Sequence, residues 1–143
     1  MKGYTVGIRV PGTSNKHLHM TICYLGELDS QQLQVVQKAL DELATQVLPL
    51  PISFGDRDMF GADKTIPVRL VNIKDINKKK LLDEFYARFH KSEEGVEDHG
   101  YQNFHVTIKT IMAEESSLED MNLSHMFMKQ LGPHDPVWMK QIE

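Results

Sequence analysis

The sequence predicts an α+β domain of paired antiparallel strands with one main helix in each half. Two observations carry this. Short runs with alternating apolar residues recur along the chain, and two longer stretches place apolar residues at helical spacing instead. The order is strand, strand, helix, strand, strand, helix, strand, then a closing hairpin. At 143 residues the chain is read as a single domain over 1–143, long enough to bury a core.

Tyr4, Val6, Ile8 and Val10 alternate with Thr5, Gly7 and Arg9, which predicts a strand with one apolar face. Pro11 to Asn15 is a turn cluster. The run from His17 to Leu25 predicts a second strand, with Leu18, Met20, Ile22 and Tyr24 on the core face and His17, His19, Thr21 and Cys23 on the other. Gly26 is expected to break it. Asp29, followed three residues later by Gln32, reads as a capping box. Behind it Leu33, Val36, Leu40, Leu43, Ala44 and Val47 form a helical stripe from about Ser30 to Val47, ended by Pro49 and Pro51.

Ile52 to Phe54 opens an extended stretch, Ala62-Asp63-Lys64 a turn, and Pro67 to Ile73 a strand, together a hairpin. A second helix is expected from about Asp75 to His90, with Leu81, Leu82, Phe85, Tyr86 and Phe89 inward and Lys78, Lys79 and Lys80 read as a solvated face ahead of a phosphate-binding one. The acidic, glycine-punctuated segment 93–100 reads as a loop. Phe104 to Thr110 is a strand, and Glu114 to Asn122 a loop or short helix. Met126 to Leu131 and Pro136 to Ile142 close the chain as a hairpin, its methionines filling core gaps.

Composition narrows the function. A formal charge of -4 gives no global attraction for nucleic acid, so phosphate binding must be local. A single cysteine rules out an internal disulfide and a multi-cysteine zinc site. No apolar run reaches the length of a membrane helix, and the N-terminal residues lack the shape of a signal peptide. The expectation is a cytoplasmic protein with no membrane partner.

Two strands carry the same pattern, His19-Met20-Thr21 and His105-Val106-Thr107. In an extended strand residues i and i+2 share a side, so each presents an imidazole and a hydroxyl on its non-core face. Histidine titrates near neutrality, so one can take a proton while another gives one. Two opposed imidazoles suit in-line displacement at phosphorus, with the threonine hydroxyls bonding the non-bridging oxygens as charge builds there.

The paired motifs resemble the signature of the two-histidine phosphoesterase superfamily, whose members include 2′-5′ RNA ligase-like proteins and cyclic nucleotide phosphodiesterases. Viral enzymes that degrade 2′-5′ oligoadenylates or cyclic oligonucleotides also belong to it. The likeness extends to the motif separation and to Leu25-Gly26 after the first motif. It implies a bilobal α+β fold with a pseudo-two-fold and a groove between the lobes. It also implies His19 and His105 as the acid/base pair, Thr21 and Thr107 as phosphate ligands, and no cofactor. The expected substrate is a nucleotide, a cyclic oligonucleotide or an RNA end, handled by a monomer.

Other residues carry two readings each. Lys109 lies on the motif face by parity, as a phosphate partner or a strand-end lysine. Arg9 is similar, and His17 is either at the groove rim or an exposed strand start. Tyr4, Tyr24, Phe60, Tyr101 and Trp138 are candidates to stack on a base, with Tyr24 and Phe60 read as core and Tyr101 and Trp138 favoured. Two competing functions remain at this stage. One is a zinc hydrolase ligated by His17, His19 and His105. The other is a nucleotide- or RNA-binding module without catalysis.

Overall fold

The computed structural model describes residues 2–10, 19–60, 63–91, 104–107, 120–131 and 137–142. The elements are β1 (Lys2–Arg9), β2 (His19–Leu28), α1 (Ser30–Val47), β3 (Leu50–Phe60), β4 (Ile66–Ile73), α2 (Ile76–Phe89), β5 (His105–Thr107), β6 (Met121–Leu123), β7 (Met126–Leu131) and β8 (Val137–Ile142). The expected order is present, with one addition. The short strand β6 occupies the end of the segment read as a loop or short helix.

All the strands form one antiparallel sheet in the order β6-β3-β4-β5-β2-β1-β7-β8. The two expected lobes are therefore halves of one continuous sheet. β5 and β2 meet at its centre, and four strands extend on each side of that seam. The two motif strands, distant in sequence, are direct neighbours.

The core lies between one face of this sheet and the two helices. Val36, Leu40, Leu43, Ala44 and Val47 of α1 and Leu82, Phe85 and Tyr86 of α2 are buried there. They pack with Val6, Ile8, Met20, Ile22, Val71, Val106, Met126 and Met128 from the strands. Both helices start on an aspartate. Asp29 accepts from the Gln32 backbone N–H at 2.8 Å while Gln32 accepts from the Asp29 N–H at 3.0 Å, which is the expected capping box. Asp75 accepts from the N–H groups of Asn77 and Lys78.

Two expectations for β2 are corrected. Gly26 does not end the strand. It adopts φ +69°, a conformation open to glycine, and pairing continues to Leu28. Lys91 follows the strand edge here, its N–H donating to the Tyr24 carbonyl at 2.9 Å and its Nζ to that of Glu27 at 3.0 Å. The second correction concerns faces. Cys23 is fully buried in the helix-side core, and Tyr24 is only half-buried and outside that core. The cause is the irregularity in the β1–β2 register between Val6 and Gly7, which leaves Ile22 as an extra β2 residue and reverses the alternation beyond it. A second irregularity, between Tyr4 and Thr5, leaves Leu25 extra further along the strand.

Candidate active site

The site is built on the sheet face opposite the helices, at the seam. Met20 of β2 pairs with Val106 of β5 in antiparallel register, and both are fully buried on the helix side. These are the middle residues of the two motifs. An antiparallel ladder with this register sets His19 across from Thr107 and Thr21 across from His105, with all four positions on the opposite face from Met20 and Val106. Facing positions in such a ladder stand ~4.5–5.5 Å apart at Cβ and diagonal ones ~7–8 Å. The two histidines are the diagonal pair. The motif positions thus form a small square with the two histidines at opposite corners. His19, Thr21 and His105 are each half-buried, open enough to meet a substrate and enclosed enough to hold a rotamer.

The surroundings of His19 come from β1 and β7. Arg9 is exposed and pairs with His19 across the ladder, which puts a cation beside the square. Gly7 pairs with Thr21 on one side and Phe127 on the other. A Cβ on Gly7 would stand 2.8 Å from Phe127 Cζ and 3.2 Å from His19 Cδ2. The missing side chain is what lets the Phe127 ring lean across β1. That ring meets the His19 imidazole edge-to-face, with centroids 5.6 Å apart and planes at 81°. Phe127 is 3% exposed yet outside the helix-side core, so its burial belongs to this face. Around His105 the cross-strand neighbour is Leu70, and Thr107 faces the fully buried Val68. The two histidines therefore sit in different settings despite the symmetry of their motifs.

Of the sequence candidates, His19, Thr21 and His105 come together with the backbone position of Thr107. The side chains of Thr107, Trp138 and Phe60 lie outside the described residues, as do Tyr101, Lys109 and His17. Trp138 pairs through its backbone with Lys129 in β7. Tyr4 is buried in the core and unavailable for stacking. Among the described residues no three histidine, cysteine or acidic groups are placed to share a metal ion. Burial pushes the Cys23 thiol up to about 12, so it is inert as a nucleophile near neutral pH.

Sequence reasoning missed Phe127 and Lys129. The signal was present in Met126-Phe127-Met128-Lys129, where buried methionines alternate with residues of the other face. What was lacking was the knowledge that β7 lies beside β1. Lys129 is half-buried, and burial lowers its pKa from the ordinary lysine value.

No protein-family model matches the chain. Over 65 residues it is 35% identical to an RNA 2′,3′-cyclic phosphodiesterase of Bacillus subtilis (strain 168). That stretch is 46% of this chain and 34% of the relative, so the match spans about a third of the relative's length. Solved structures resemble the whole chain. A crystal structure of a phosphoesterase aligns with TM-score 0.54 and 12% identity, covering 99% of this chain and 97% of the other. E. coli LigT complexed with phosphate aligns with TM-score 0.54 and 11% identity, covering 98% and 95%. E. coli LigT complexed with 3′-AMP aligns with TM-score 0.54 and 14% identity, covering 98% and 96%. The chain has the fold of these phosphoesterase and LigT structures and shares a 65-residue stretch of sequence with an RNA 2′,3′-cyclic phosphodiesterase.

Proposed function

We propose that this chain is a metal-independent phosphodiesterase that cleaves a nucleotide or oligonucleotide phosphodiester by paired histidine acid/base catalysis. The observation that supports it best is the Met20–Val106 register, which turns two distant His-x-Thr motifs into one four-cornered site. In the reaction one histidine takes a proton from water as its oxygen attacks phosphorus. The bond to the departing ribose oxygen breaks, and the other histidine gives that oxygen its proton. Thr21 and Thr107 bond the non-bridging oxygens as their charge rises, and Arg9 adds a positive field at the rim.

The substrate classes are 2′,3′-cyclic phosphates, 2′-5′ oligoadenylates and cyclic oligonucleotides. The first is supported by the name of the B. subtilis relative, and a nucleotide in this fold by the LigT complex with 3′-AMP. No helix among the described residues is long and apolar enough to cross a membrane. The proposal includes a monomeric, cytoplasmic enzyme, with light scattering and fractionation as its checks.

The decisive experiment is turnover of a panel of 2′,3′-cyclic nucleotides, 2′-5′ oligoadenylate, 3′-5′ RNA and cyclic oligonucleotides, with products resolved by mass. His19→Ala and His105→Ala should each lower kcat at least about a hundredfold, in the range of general acid/base catalysis, while circular dichroism stays that of the parent. Chelator treatment should leave the rate unchanged. Full activity in either variant would remove the mechanism, and stoichiometric zinc in active protein would favour the metal-site reading.

A further inference from the structure

The re-aimed Tyr24 has a partner across the sheet. Tyr24 pairs with Thr5, which lies between the buried core residues Tyr4 and Val6 and so belongs to the site face. On its other side Thr5 pairs with Lys129, which follows the fully buried Met128 and so shares that face. Tyr24, Thr5 and Lys129 thus form one row across β2, β1 and β7. The next row is Thr21, Gly7 and Phe127, and beyond it His19 pairs with Arg9. Two strand spacings separate Tyr24 from Lys129, about 10 Å, and a step of two residues along a strand is about 7 Å. The Tyr24 end of the row is therefore about one step from Thr21, and Lys129, at the other end, is about 12 Å from Thr21.

Two features distinguish this row from an ordinary sheet surface. Its tyrosine is on this face only because the irregularity at Ile22 reverses the alternation, and bulges beside active sites are a means of re-aiming a side chain. Its lysine is half-buried, so the cation is held close to the sheet face on the side of the site. An aromatic ring and a cation in one row match a base and a phosphate.

We propose that Tyr24 and Lys129 form a subsite for the nucleotide flanking the scissile phosphodiester, so that a linear oligonucleotide is preferred over a cyclic mononucleotide. This rests on the phosphodiesterase reading above. A cyclic mononucleotide spends its only phosphate at the His-x-Thr square and offers nothing to Lys129. An oligonucleotide places one phosphate there and its neighbour in the adjoining row, with the intervening base against Tyr24.

The test compares kcat/KM for linear adenylate trimers, 2′-5′ and 3′-5′ linked, with that for 2′,3′-cyclic AMP. Tyr24→Ala and Lys129→Met should each lower the trimer-to-cyclic ratio about fivefold or more, the scale of a lost base stack, and Tyr24→Phe should retain it. An unchanged ratio in both variants overturns the subsite. Trimer binding, measured by calorimetry on the His105→Ala protein, separates this outcome from failure of the catalytic reading. If the parent cleaves no substrate, the phosphodiesterase reading falls. The subsite then stands only if Tyr24→Ala and Lys129→Met, placed in that background, still weaken trimer binding fivefold, and it falls if binding is unchanged.

Discussion

At the residue scale, the contact between Phe127 and His19 bears most directly on the proposed mechanism. A general base or acid works only from the right rotamer, and small misplacements cost large factors in rate. The edge-to-face ring fixes one side of the imidazole, and Gly7 leaves the space that permits it. Phe127→Leu keeps apolar bulk but removes the flat edge, so the imidazole gains freedom without losing its chemistry. It should lower kcat about tenfold with KM within about twofold, and Phe127→Tyr should restore kcat. Steady-state kinetics on a cyclic nucleotide, run where circular dichroism shows the variant folded, separates this from a packing defect. A loss confined to KM would make Phe127 a binding surface instead.

At the element scale, local signals and non-local ones part company. The helix over Ser30–Val47 was legible because its stripe, cap and terminating prolines are all local. Asp29 and Gln32 satisfy two backbone N–H groups between them at the helix start, remote from the site. Asp29→Ala should therefore cost about 1 kcal/mol of stability, read as a lower urea midpoint, with kcat unchanged. The faces of β2 were legible only as far as Thr21. Alternation assigns Met20 to the core face and His19 and Thr21 to the opposite face, as observed, because no extra residue intervenes. Past Thr21 it sends Cys23 and Tyr24 to the wrong faces, because the irregularity at Ile22 is set by how β2 fits β1. Gly26 misled for a related reason, since a glycine at positive φ can bend a strand without ending it. The two His-x-Thr motifs are visible in the sequence, but nothing local makes β2 and β5 neighbours.

At the scale of the whole molecule, the two halves of the sheet join where β2 meets β5, and the site is built on that join. Met20 and Val106 are the underside of the square. They are fully buried, and their register is what keeps each histidine opposite the other motif's threonine. Stability and catalysis should therefore be coupled at this pair more tightly than elsewhere in the core. Leu123 in the edge strand β6 offers the comparison, being equally buried and three strands from β5. Met20→Ala and Leu123→Ala should each cost about 2–5 kcal/mol, as large-to-small core changes do. Measured where both variants remain folded, kcat should fall at least about tenfold for Met20→Ala and stay within about twofold for Leu123→Ala. A cavity under the square lets the two strands shift against each other, whereas a cavity at the far edge leaves the seam register alone. Equal losses of activity at equal losses of stability would mean that the seam holds the halves together without setting the geometry of the site.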